Sequence, residues 1–147
     1  LGGGGHTAAI AEAVGADGRV LGIDQDPDAL AAASVRLAPF GARVLLRRGN
    51  FSEMARLAAE EGIAPVDALL LDLGVSSHQL DTPGRGFAIR LQGPLDMRMD
   101  PESGAETAAE LLDRLSEAEI ARILYTYGEE SRGRRIAAEI VRARPLK

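Results

Sequence analysis

The chain has 147 residues, 17 basic and 22 acidic side chains and a net charge of −5. Apolar residues make up 46% and charged residues 27%, which excludes a disordered or low-complexity chain and leaves enough apolar surface for a core. Cysteine is absent, which excludes a disulfide scaffold and thiolate metal ligands.

The sequence holds no run of about 18 apolar residues and no cationic, apolar leader, so the expectation is no membrane span and a cytoplasmic location. Charge is uneven. Residues 1–80 carry net −4, residues 81–113 net −4 and residues 114–147 net +3. The last stretch is the one suited to a polyanion.

The chain opens Leu1-Gly2-Gly3-Gly4-Gly5-His6 with no strand before the glycines, so an internal piece of a longer protein is expected. Thr7 to Val14 has helix formers, broken by Gly15 and Asp17-Gly18. Arg19 to Asp24 reads as a short buried strand. Asp26-Pro27 is an N-cap followed by proline at the first helical position, and that helix runs to about Leu37. Arg43 to Leu46 is a second strand, Gly49 to Ser52 a loop, and Glu53 to Glu61 a helix. Val66 to Asp72 is apolar nearly throughout, as a central parallel strand would be.

Helices and strands alternate up to Asp72, which predicts an α/β layered sheet. Ligands in such sheets bind beyond the carboxyl ends of the strands. Gly2 to His6, Asp24, Asn50-Phe51 and Asp72 all fall at that edge. After Asp72 the alternation stops. Gly74 to Gly93 is a long polar connection, and Leu95 to Asp100 alternates apolar with charged residues, as an extended segment does. Three helices follow. One is expected near Ser103 with a Ser103–Glu106 capping box. The next starts near Ser116 with a Ser116–Glu119 box, and the last runs from Ser131 to Arg144.

Glycines at the strand-to-helix turn let a ligand approach the backbone and the free N–H groups of the helix. The same turn also serves as a phosphate cradle or as a plain loop. A dinucleotide fingerprint would need glycine at position 7, which is Thr7, and a phosphate loop would need a lysine, yet Lys147 is the first in the chain. Asp24 ends the next strand, where a carboxylate accepts from ribose hydroxyls. Phe51 packs either on an adenine or in the core. The acidic pair Asp24 and Asp72 suits a sulfonium better than a pyrophosphate, favouring S-adenosyl-L-methionine over a nicotinamide cofactor. His6 and His78 have no partners at metal-ligand spacing. Ser76, Ser77 and His78 are adjacent in sequence and form no relay triad. A nicotinamide-dependent oxidoreductase and a non-enzymatic RNA-binding module are the competing functional classes.

Several segments share a pattern. They are Gly4-Gly5-His6-Thr7, Gly22 to Pro27, Asn50-Phe51-Ser52, Leu70 to Ser77 and Gln79-Leu80-Asp81. Arg85-Gly86-Phe87, Gly93 to Asp100 and Tyr127 to Glu130 continue it. Together they resemble the ribosomal RNA small subunit methyltransferase H family, also called RsmH or MraW. Asp72 to Ser77 and Gly93 to Asp100 are its most specific stretches. His78 stands where the family usually has Pro, and Thr7 where it usually has Ser.

The resemblance implies a Rossmann-like class I methyltransferase sheet interrupted by an α-helical insertion, with residues 1–79 as part of the cofactor-binding core and 80–147 as part of a substrate-recognition insertion. It implies methyl transfer from S-adenosyl-L-methionine to N4 of a cytidine in 16S rRNA, at the decoding centre of the small ribosomal subunit. Its cofactor contacts map to Gly4, Gly5, His6, Asp24, Phe51, Asp72 and Gln79. Cytosine N4 is a poor nucleophile, so a positioned acceptor is needed as charge grows on it, and Asp72 is the first candidate. The base must be unstacked or single-stranded. Arg98, Arg132, Arg135 and Arg142 are candidate phosphate contacts.

Overall fold

A computed structural model describes residues 1–146. The chain divides into two compact units, Leu1–Gly74 and a second that begins at Val75.

In the first unit, helix α1 (Gly5–Ala13) starts directly behind Gly4, which caps it at φ 80°. A Cβ at Gly4 would also lie 3.1 Å from Leu37 Cδ1 and 3.4 Å from Ala33 Cα, so both backbone angle and space call for glycine. Strand β1 (Val20–Asp24) leads to α2 (Pro27–Leu37). The Asp26 side chain accepts from the Asp28 N–H, and Pro27 sits at the first turn, as the sequence predicts. Strand β2 (Val44–Arg48) pairs parallel with β1, Val20 opposite Val44 and Asp24 opposite Arg48. A short 3-10 turn (Phe51–Glu53) then opens α3 (Met54–Glu60).

Ala11, Ala33, Leu37 and Leu57 are the buried apolar residues of this unit. Side chains close its rear. Arg19 donates to the carbonyls of Glu61 and Gly62 at 2.9 and 3.2 Å, and Arg43 donates to the Ala11 carbonyl with its guanidinium over the Phe40 ring.

The expected third strand differs. Among the described residues the sheet has two strands, and Val66 to Asp72 pairs with neither. Leu70 is 56% and Leu73 62% exposed. A strand exists only where another backbone completes its ladder, and apolar composition cannot supply that partner.

The second unit is mainly helical: α4 (Ser77–Asp81), α5 (Ala108–Arg114), α6 (Glu117–Gly128) and α7 (Gly133–Ala143). Leu115, Ile120 and Ala137 form its buried core, with Leu111, Leu124, Ile140 and Val141 packed around them. Ser116 and Glu119 form the predicted capping box. The box predicted at Ser103 is displaced: α5 starts at Ala108, capped by Thr107 with Glu110. Gly104 at φ 70° interrupts any helix from Ser103, whose hydroxyl donates to the Asp100 carbonyl instead. Glu106 reaches Arg114, 2.9 Å away. The same Ser/Thr-x-x-Glu signal occurs twice within eight residues, and the one followed by unbroken helix formers wins.

Leu95 to Asp100 is not an extended strand either, since Met97 has φ 58°. Asp96 and Arg98 fold it into a closed loop. Arg98 Nε and Nη2 donate to the two carboxylate oxygens at 2.8 and 2.6 Å, and the Arg98 N–H adds 2.9 Å. The Asp96 carbonyl in turn accepts from Ala108 at 2.7 Å, which ties the loop to the start of α5. Nearly buried Arg85 donates to the carbonyls of Arg98 and Met99. Gly86 (φ 75°) lies so close to this loop that a Cβ there would meet Pro94 O at 2.5 Å.

Candidate functional site

The candidate site lies at the carboxyl ends of the two parallel strands. β1 ends on Asp24, and both its carboxylate oxygens are used locally. Oδ2 accepts from the Gly2 N–H at 3.0 Å, and Oδ1 from the Asp26 N–H at 3.0 Å. One side chain thus ties the glycine loop to the turn into α2. A carboxylate has about four lone-pair directions, so Asp24 retains acceptor capacity for a ligand. The Asp24 carbonyl accepts from Gly49 at 3.0 Å, which carries the ladder into the Asn50 turn. Asn50 Oδ1 accepts from Ser52, and its Nδ2 donates to Gln25 Oε1 at 3.3 Å.

The first turn of α1 has no side-chain cap, unlike α2. Its N–H groups stand beyond Gly4 and Gly5 as donors at the positive end of the helix. His6, on this turn, lies with Nδ1 2.9 Å from Asp72 Oδ2. An ionised carboxylate only accepts, so Nδ1 carries the proton in this pair. The Asp72 side chain meets the glycine turn through this hydrogen bond. Phe51, on the turn after β2, is 47% exposed.

The structure therefore brings Gly2, Gly4, Gly5, His6, Asp24 and Asp72 together by direct bonds or sequence adjacency, with Phe51 on the turn after β2. These residues fit a small polar ligand with an aromatic end. They offer backbone donors, two carboxylates and a half-exposed ring in the order the sequence suggests. Among the described residues no three His, Cys, Asp or Glu side chains are grouped to hold a metal.

Gln79 belongs to the second unit. Its Oε1 accepts from Ser76 at 2.9 Å, its N–H donates to the Ser76 hydroxyl at 3.2 Å, and its Nε2 faces Met99 Sδ at 3.5 Å. The side chain is nearly buried and holds the turn that opens α4. The candidate RNA-contact arginines split three ways. Arg98 has its guanidinium committed to Asp96 and the Ala105 carbonyl, and the Asp96 hydrogen bond raises its pKa. Arg132 and Arg142 pair with Glu130 and Glu139 on the surface. Arg135 is exposed and makes no ion pair among the described residues.

A model of the MraW methylase family matches residues 1–147. The chain belongs to that family. A protein from Heliobacterium modesticaldum is 55% identical over 148 residues, covering 100% of this chain and 47% of its own length. One from Sorangium cellulosum is 57% identical, covering 97% and 44%. One from Trichlorobacter lovleyi is 54% identical, covering 98% and 46%. All three carry the name ribosomal RNA small subunit methyltransferase H. The chain spans about half the length of these curated relatives.

Sequence reasoning passed over Tyr125 and Arg134, and read Tyr127 only as part of a family motif. A signal was there: the chain has two tyrosines, they lie two residues apart, and arginines flank them.

Proposed function

We propose that this chain carries the cofactor-binding part of a methyltransferase that uses S-adenosyl-L-methionine to methylate N4 of a cytidine in 16S rRNA, at the decoding centre of the small ribosomal subunit. The observation that carries this reading is the meeting of the glycine turn, Asp24 and the His6–Asp72 pair at the ends of a parallel strand pair. The names of relatives at 54–57% identity supply the substrate class.

On this reading the sheet is Rossmann-like and of the class I type. The apolar, uncovered segment Val66 to Asp72 supports it, because parallel strands are buried on both faces once their neighbours are present. Residues 1–79 are then the core and 80–147 the helical insertion.

The N–H groups behind Gly4 and Gly5 and the spare lone pairs of Asp24 would hold the polar parts of the cofactor, and Phe51 would cover its adenine. Bound there, the cofactor supplies an electrophilic methyl on a sulfonium. Asp72 accepts a hydrogen bond from the N4 amino group as positive charge grows there, and His6 Nδ1–H fixes that carboxylate. Gln79 holds the turn that follows.

Calorimetry of the full-length protein with S-adenosyl-L-methionine tests the site. The expected result is a binding isotherm in wild type and at least tenfold weaker binding in Asp24→Ala, which loses charge-assisted hydrogen bonds. Equal affinity in the two proteins overturns the assignment. For the chemistry, mass spectrometry of rRNA should show a methylated cytidine that Asp72→Ala fails to produce. An active Asp72→Ala enzyme removes Asp72 from the reaction.

A further inference from the structure

Both tyrosines of the chain stand in water on one helix end, Tyr125 70% and Tyr127 78% exposed. The chain has no tryptophan and only three phenylalanines, so this is a concentration of its scarce aromatic surface. The packing of α7 against α6 puts cations beside it. Gly133 starts α7 so close to α6 that a Cβ there would lie 3.1 Å from the Ala121 carbonyl and 3.6 Å from the Tyr125 nitrogen. The residues flanking Gly133, Arg132 and Arg134, are therefore beside the turn that bears Tyr125. Exposed Arg122 lies one turn before Tyr125 on α6. Arg134 and Arg135 are exposed and make no ion pair among the described residues.

Exposed rings at the end of α6, with the unpaired guanidinium groups of Arg134 and Arg135 on the helix packed against it, match one polymer, a strand whose bases are free to stack and whose phosphates are regularly spaced. Charge points the same way. Residues 114–147 carry net +3, against −4 in each preceding stretch. A double helix hides its base faces, so it would leave the tyrosines idle.

We propose that the Tyr125–Tyr127 end of α6, with Arg134 and Arg135 of α7, is a contact for single-stranded RNA. The rings stack on unpaired bases and the arginines meet phosphates. This rests on the RNA reading above and adds where on the chain the strand lies and which form of RNA it takes.

The test is fluorescence anisotropy of the full-length protein with a labelled single-stranded 16S-derived oligonucleotide, and with the same sequence as a duplex. Tyr125→Ala and Tyr127→Ala should each weaken single-strand binding by about 5- to 100-fold, while the Tyr→Phe variants stay within about twofold of wild type because the ring remains. Arg134→Ala and Arg135→Ala should each flatten the slope of log affinity against log salt by about 0.7. Wild-type affinity in the Tyr→Ala proteins, equal losses in Tyr→Phe, or duplex binding as tight as single-strand binding each overturns the proposal. The tyrosines are on the surface, so circular dichroism should match wild type in every variant. Cofactor calorimetry without RNA is the separate arm. Its failure removes the methyl-transfer reading alone, and a wild-type protein that fails to bind the single strand while keeping its cofactor isotherm removes only this contact.

Discussion

The two units solve the same problem, covering an apolar face, in different ways. The second does it with neighbours in sequence. Its helices α4, α5 and α6 all begin on complete capping boxes, and Leu115, Ile120 and Ala137 meet within a stretch of the chain. The first unit depends on a parallel pair joined through α2, and leaves Val66, Leu69, Leu70, Leu71 and Leu73 in water. Helix hydrogen bonds close within four residues, whereas a parallel ladder needs a second strand brought by a crossover. The helical unit is therefore built largely from local signals, and the sheet unit leaves an apolar segment unpaired among the described residues.

The largest expected effect breaks that contrast at its strongest point. Ile120→Ala should cost about 2–5 kcal/mol in a denaturant melt of this chain, because Ile120 is 1% exposed. Leu70→Ala in the same chain should stay within about 0.5 kcal/mol. In the full-length protein Leu70→Ala should rise to about 2–5 kcal/mol if Val66 to Asp72 is a covered strand there. Equal, small effects in both lengths would remove the buried-strand reading.

Arg98→Ala should cost about 2 kcal/mol by freeing the half-buried Asp96 carboxylate and the loop it closes. The Arg98 guanidinium holds the Asp96 carboxyl below the usual carboxylate range. A lowered carboxyl stabilises the fold above its unfolded value, about 3.9, and loses that contribution as pH falls through the folded value. Acid should thus loosen the second unit below about pH 4, and Asp96→Asn should remove part of this dependence in a pH series of melts. Glu110 and Glu119 are lowered too, first by the Thr107 backbone N–H and the Ser116 hydroxyl respectively, and titrate in the same direction.

The smallest expected effect is at the caps. Thr107→Ala and Ser116→Ala should each cost about 1 kcal/mol, while Ser103→Ala should change little, since Thr107 is the cap in use. A larger loss at Ser103 would restore the earlier helix start.

Much of this was legible in the chain. Asp26-Pro27, Ser116 to Glu119 and the apolar runs of the two paired strands are local signals, read by neighbours a few residues away. The site was legible for a related reason. In an alternating α/β chain, the ends of strands are known from the strands themselves, so Asp24 and the glycine turn could be placed on one edge. Ser103 misled because two capping signals lie back to back, 103–106 and 107–110, and only the left-handed backbone of Gly104, inside the first, breaks that one.

The sequence by itself determined helix starts, strand composition and the chemistry gathered at the strand ends, since those follow from spacing and side-chain type. Only the tertiary structure decided that Val66 to Asp72 pairs with no strand among the described residues, that Arg98 is bound to Asp96, and that Asp24 clasps Gly2 while His6 clasps Asp72. Each of these depends on which groups meet in space across a closed loop, a choice made by competition among alternatives of similar energy rather than by any one residue's preference.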